Sequence, residues 1–323
     1  MSHSTEHNSR PEQSATLFIA ASETDSNLYY ATRFIAPDPF IYLEVKGERL
    51  MVMSDLEVDR ARNQATVDRV LSYSELERRA KSQGVKDPGT IDVIHLVLQD
   101  AGLKDILVPP TFPFLHASRL QELGYRLRTK REPFYEQRVM KSDDEVRHIE
   151  AAQRATETAV AAAHQHLRRA EIRDNVLWLD GEILTSERVK KLINVALMEC
   201  DCVAQHTIVA GGEQACDPHD EGSGPLPAHR SIIFDVFPRS AETRYFADMS
   251  RTVVRGTPSP ELTRLYHAVK DAQEEAITKI RDGADGAAIH QGICDRFEKA
   301  GYKTGLVNGR MQGYFHGTGH GVG

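Results

Sequence analysis

At 323 residues the chain exceeds the usual single-domain size, so two domains are expected. Apolar content of 40% and charged content of 27% are ordinary for a soluble globular protein. A formal net charge of −7 argues against a nucleic-acid footprint, and without a run of about 18 apolar residues no membrane span is expected.

The first residues, MSHSTEHNSRPEQS, are polar and lack an apolar core segment, so residues 1–14 read as a disordered leader and not a signal peptide. From residue 15 short strands alternate with helices. ATLFIAA reads as a strand, and FIYLEV and RLMVMS flank KGE as a hairpin. SYSELERRAKSQG starts on a serine cap and ends at Gly84; TIDVIHLVLQDAG follows, then the strand DILVPP and a helix in FLHASRLQELG ending at Gly124. This alternation predicts an α/β domain with a mixed sheet over residues 15–135. It carries no phosphate loop and no cluster of ligand-type side chains.

The second domain is assigned to residues 136–323. KSDDEVRHIEAAQRATETAVAAAH opens with a capping box, Ser142 and Glu145, and Val146, Ile149, Ala152 and Ala155 recur at helical spacing. SERVKKLINVALMEC places Val189, Leu192, Ile193, Ala196 and Leu197 on one helical face. Between this helix and the next, SIIFDVFP and RYFADMSRTVVRG are β-branched and aromatic-rich, and they should pair as an antiparallel hairpin joined by RSAET. A third helix starts near Pro260, with Leu262, Leu265, Tyr266 and Val269 on one face, and a fourth carries Ile289, Ile293 and Phe297 and ends at Gly301. The domain is therefore α+β. The four cysteines, Cys200, Cys202, Cys216 and Cys294, lack zinc-finger spacing and read as reduced, buried thiols, which points to the cytoplasm.

Asp235 lies in the apolar strand SIIFDVF and Asp248 in the strand across the hairpin. A bare carboxylate among apolar neighbours is costly, and two held close must share a proton or a cation. Separate ion pairs with Arg239, Arg244 or Arg251 are the alternative. The chain closes on FHGTGHGVG, where His316 and His320 sit among glycines that give a histidine no helical face to pack, and histidine is the commonest metal ligand. His229, His267 and His290 read as ordinary, the last two inside amphipathic helices.

FDVFPRSAETRYFADMSRT, HGTGHGVG and IVAGGEQACDPH, in a combination more specific than any one of them, resemble the pita-bread metallopeptidases, the family of aminopeptidase P, prolidase and methionine aminopeptidase. KSDDEVRHIEAAQRAT resembles the first helix of the aminopeptidase P and prolidase branch, and YYATRF more weakly the creatinase/prolidase-type N-terminal domain. The resemblance implies an α/β creatinase/prolidase-like N-terminal domain followed by an α+β pita-bread domain. It also implies an exopeptidase cleaving between an N-terminal residue and proline, as an Xaa-Pro aminopeptidase or dipeptidase, by a hydroxide that two divalent ions activate. The ions would be manganese first, with cobalt or zinc as alternatives. Asp235 would bind one metal, Asp248 would bridge both and His320 would ligate the other. His219 would bind substrate and shuttle a proton, and His316 would line the pocket. Proline-containing peptides would be the partners, and the subunits would form a homodimer through the N-terminal domain.

Two departures stand out. The Asp235-to-Asp248 spacing is longer than the family's usual one, which a longer hairpin loop after Pro238 would absorb. The family's two glutamate ligands follow the HGxGH motif, beyond Gly323, so the pita-bread domain is expected to be incomplete at its C-terminus. The chain is then a piece or truncated product of an active enzyme, or a non-catalytic pita-bread binding module. A metal-free creatinase-type hydrolase is disfavoured because such enzymes lack the aspartate pair.

Overall fold

The structure is a computed structural model and describes residues 14–323; all but the last residue of the expected leader lies outside them. The chain divides into two compact units, with the boundary between Met140 and Lys141.

The first unit is built on a six-stranded mixed sheet: β1 (Ser14–Ala20), β2 (Phe40–Val45), β3 (Glu48–Met53), β4 (Arg69–Ser72), β5 (Asp105–Val108) and β6 (Arg126–Thr129), ordered β4-β3-β2-β1-β5-β6. The hairpin of β2 and β3 is antiparallel, as is β1 with β2; the other pairings are parallel. Side chains alternate across a strand, and here both faces are apolar. Leu17, Ile41, Leu43 and Val52 pack with Val93, Ile94 and Leu98 of α4 (Thr90–Ala101) and Leu120 of α5 (Phe114–Glu122). Phe18, Phe40, Tyr42 and Met51 pack with Leu28 of α1 (Ser26–Thr32) and Val58 and Ala61 of α2 (Val58–Gln64). The helix α3 (Tyr73–Ser82) starts where the hydroxyl of Ser72 accepts from the Glu75 N–H. The sequence pattern omitted α1 and α2, each seven residues long and too short to show a helical period.

The second unit opens with α6 (Asp143–Arg169), whose capping box forms as the sequence implies: the Ser142 hydroxyl accepts from the Glu145 N–H, and the Glu145 carboxylate accepts from the Ser142 N–H. Ala152, Ala155, Ala159 and Ala163 make one face of α6 shallow, and the face packs in one core with Val189, Ile193 and Leu197 of α7 (Ser186–Met198). The meander β7 (Glu171–Arg173), β8 (Val176–Leu179) and β9 (Glu182–Ile183) links the two helices. After β10 (Cys202–Val203) come the strands that position the candidate site, β11 (Ile208–Gly211), β12 (Ile232–Val236) and β14 (Met249–Val253), ordered β11-β12-β14 and antiparallel throughout.

The expected hairpin exists with its pairing register Val236↔Met249. Its connection differs: Arg239–Ser240 form a further short strand, β13, which pairs with β10. The connection is thus partly sheet and not a plain loop. Asp248 stands immediately before β14 and not within it.

The helices α8 (Pro260–Lys279) and α9 (Gly286–Lys299) pack on each other through Ala272, Ala276, Ile293 and Phe297, followed by the hairpin β15 (Gly305–Val307) and β16 (Arg310–Gln312). The face expected to be buried on α8 is instead exposed at Leu265, Tyr266 and Val269, because its contact with α9 runs through the small residues Ala272 and Ala276. Val146 is likewise exposed, in the first turn of α6 before that helix reaches the core. Of the four free cysteines only Cys202 is buried; Cys200 and Cys216 are exposed and Cys294 is intermediate.

Candidate metal centre

The alternation of β12 decides where Asp235 goes. Ile232, Phe234 and Val236 are buried in the core shared with α6 and α7, so Ile233 and Asp235 take the opposite face. A register pair shares a face, and Asp235 stands opposite Ser250 of β14 and Ile208 of β11. The Ser250 hydroxyl donates to Asp235 Oδ1 at 2.6 Å. Asp248 is two residues before Ser250, hence on the same face and diagonal to Asp235, a relation that sets Cα atoms about 7–8 Å apart.

Asp248 feels both neighbours. Its carboxyl is held above the usual carboxylate range, first by burial and then by the negative charge of Asp235, with His320 acting in the other direction. His320 Nε2 lies 3.3 Å from Asp248 Oδ2, while its Nδ1 is 2.9 Å from the Gly321 carbonyl. The imidazole remains largely exposed, whereas the Asp248 side chain is about two-thirds covered. The structure therefore brings Asp248 together with His320 by contact and with Asp235 by field.

The other two residues of the expected site make different contacts. The His316 Nδ1 is 2.9 Å from the Gly317 carbonyl, and its ring meets Tyr314 edge-to-face at 4.7 Å. His219 is exposed in the connection between β11 and β12, where its backbone N–H donates to Asp217 Oδ1 at 3.0 Å. That connection is anchored at Gly222, whose φ is +79° and where a Cβ would stand 2.0 Å from the Val209 carbonyl oxygen. Only glycine lets the loop pass so close to β11. Ser250 was not singled out from sequence; the signal that could have found it is its place two residues after Asp248, on the same strand face.

The chemistry of the donors fits a divalent cation. Two carboxylates repel each other on one sheet face, and an imidazole reaches one of them from a chain segment with no competing helix. The geometry is not closed: among the described residues no group of three or more His, Cys, Asp or Glu converges on a single point, and Asp235 turns to Ser250. A separate groove of about 600 Å³ lies beside α7, lined by Glu187, Lys190, Asn194, Val195, His206 and Glu221, and includes none of the expected site residues. Among the described residues no helix is long and apolar enough to cross a membrane.

Residues 147–323, more than half of the chain, match the model of metallopeptidase family M24. The chain belongs to that family. An uncharacterized peptidase of Staphylococcus epidermidis is 30% identical over 189 residues, 58% of this chain and 47% of that protein. An Xaa-Pro aminopeptidase of Streptomyces coelicolor is 31% identical over 164 residues, 46% of this chain and 33% of its own length. The chain thus spans about half or less of the length of these two relatives. Among solved structures, the Xaa-Pro dipeptidase of Bacillus anthracis superposes with a TM-score of 0.76 at 18% identity, covering 96% of this chain and 77% of the other. At that identity the likeness establishes the fold, and it bears out the expectation of an α/β N-terminal domain joined to a pita-bread domain.

Proposed function

We propose that this M24 chain is the body of a metal-dependent exopeptidase that cleaves between an N-terminal residue and proline, as an Xaa-Pro aminopeptidase or dipeptidase. The supporting observation is Asp248, a half-buried carboxylate facing the charge of Asp235 on one side and the imidazole of His320 on the other. In this reading Asp235, Asp248 and His320 are the residues that would hold divalent ions, manganese first. Bound ions supply Lewis acidity toward the scissile carbonyl and the attacking water. The chain's own residues do the rest. Ser250 fixes one oxygen of Asp235, leaving the other to face a ligand, and such support orients a binding carboxylate. His219, on the exposed loop anchored by Gly222, meets the peptide and moves a proton to or from it, and His316, beside Tyr314, lines the pocket. A cytoplasmic homodimer belongs to the same reading.

The test is hydrolysis by the full-length protein, with Mn²⁺, Co²⁺ or Zn²⁺ added, of Xaa-Pro dipeptides and longer Xaa-Pro peptides against Xaa-Ala controls. Proline-dependent release of the first residue is expected, falling roughly 100-fold or more in Asp248→Asn, more than is lost when only the support of a ligand is disturbed. No cleavage of any Xaa-Pro peptide with any of these ions overturns the proposal. A second reading, a non-catalytic pita-bread binding module, is favoured by the lack of a converging three-donor group among the described residues; tight two-site Mn²⁺ binding by calorimetry rules it out.

A further inference from the structure

His290 does more than the helical pattern assigns to it. It sits on α9 one turn before Cys294, and the two side chains meet, with Nε2 3.5 Å from the cysteine sulfur. The other ring nitrogen, Nδ1, is 2.9 Å from the hydroxyl oxygen of Thr318. A proton on Nδ1 donates to that oxygen, which leaves the Nε2 lone pair directed at Cys294. Thr318 is itself held, since the Tyr314 hydroxyl donates to it at 2.8 Å. Both His290 and Cys294 are partly exposed, so solvent ions reach them. These contacts owe nothing to Asp235, Asp248 or to the peptidase reading.

We propose that His290 and Cys294 form a two-donor site for a thiophilic divalent cation such as Zn²⁺, joined through Thr318 to the glycine segment that carries His320. Three features support this. The donors are an imidazole and a thiol, which select zinc-like ions over manganese, whereas the hard carboxylates Asp235 and Asp248 do the reverse. A tetrahedral zinc with bonds of about 2.3 Å to sulfur and 2.0 Å to nitrogen sets those two atoms roughly 3.5 Å apart, the separation that Nε2 and the sulfur already have, so a turn of the imidazole about its own side-chain bonds suffices to seat the ion. The Nδ1 contact to Thr318 is the outer support that a ligating histidine requires. On binding, the thiol proton that lies between sulfur and Nε2 leaves to solvent, the thiolate and Nε2 each donate a lone pair to the cation, and water fills its remaining positions. No atom is oxidised.

Cobalt(II) titrated into the full chain is the probe, because a thiolate-to-cobalt charge-transfer band in the near ultraviolet reports sulfur ligation directly. The band is expected in the wild type, is displaced by Zn²⁺, and is lost in Cys294→Ala and in His290→Gln. It persists in the Cys200→Ala/Cys202→Ala variant and in Asp248→Asn, so its fate is independent of peptidase activity. No band in the wild type overturns the proposal, as does a band that survives Cys294→Ala or His290→Gln or that vanishes with Cys200 and Cys202. Should a variant not fold, alkylation of Cys294 in the wild type, located by peptide mass mapping, decides: Zn²⁺ slows it if the site exists and leaves its rate unchanged if not.

Discussion

Asp248 is disfavoured as an anion where it stands, and that has a consequence for stability. Its folded-state carboxyl lies above the usual value, so in the metal-free protein the charged form is the less favoured one. As pH falls through the folded-state value the native chain takes up a proton before the unfolded chain does, and stability rises until the unfolded value is passed. Removing the charge should therefore stabilise the metal-free protein near neutral pH. The expected result is a higher thermal midpoint for Asp248→Asn than for wild type after chelator treatment, with the order reversed once Mn²⁺ is added, because bound metal stabilises only the protein that holds it. A wild-type midpoint above that of the variant in chelator contradicts this account. His164 has the opposite bias for an imidazole. Burial first, then the charges of Arg168 and Arg251, hold its pKa below the usual value, and its Nε2 is buried without a hydrogen-bond partner among the described residues, beside Phe234. The unfolded chain then protonates near pH 6.5 while the folded chain resists to lower pH, so stability falls as pH drops below 6.5 and levels off below the folded value. His164→Gln should flatten that part of the pH dependence, read from urea midpoints between pH 7 and pH 5.

At the scale of elements, the site depends on how two strands and a loop are fixed and not on the acids alone. The face chosen by Asp235 follows from Phe234 and Val236 being the ones that reach α6 and α7. A one-residue slip of β12 would turn both aspartate and core inside out. The loop of His219 is bound to β11 at Gly222 by a contact that tolerates no Cβ, reinforced by the Val209 N–H donating to the Glu221 carbonyl at 3.0 Å. Gly222→Ala should cost more than about 1 kcal/mol, since it forces a side chain into a left-handed conformation and against backbone. The measurement is the denaturant midpoint, and a variant as stable as wild type would show that the loop can lift away. The periodicity of α6 and α7 was legible because both bury an apolar stripe, that of α6 from its second turn onward. The face of α8 was misread because the pattern of Leu265, Tyr266 and Val269 marks an apolar stripe without saying what lies against it, and the contact with α9 uses alanines that no apolar template weights.

For the whole molecule, each compact unit has its own hydrophobic clusters: two around the sheet of the first, and two in the second. Separate cores unfold as separate cooperative units unless their interface is large. Scanning calorimetry should then give a calorimetric enthalpy exceeding the van't Hoff enthalpy, and Mn²⁺ should move only the part of the transition that belongs to the second unit. A single transition with equal enthalpies, shifted as a whole by Mn²⁺, would contradict it.

By itself the sequence determined what is local or periodic: the first strand and the β2–β3 hairpin of the first unit with its longer helices, though not α1, α2, β4 or β6; the capping box at Ser142; the helical stripe of α7; the pairing of β12 with β14; and the motif set that places the chain in its family. These are written in nearest-neighbour spacing, which the backbone periods of helix and strand translate directly. Only the tertiary structure decided that β13 leaves the hairpin to pair with β10, that Ser250 occupies Asp235, that Asp248 meets His320 across 72 residues of chain while His316 turns to Tyr314, and that Cys294 meets His290 under Thr318. His290 and Cys294 are one helical turn apart, a spacing the sequence shows, but their meeting with Thr318, like that of Asp248 with His320, arises because packing brings distant segments to one place, and no spacing along the chain encodes which side chain is nearest when they arrive.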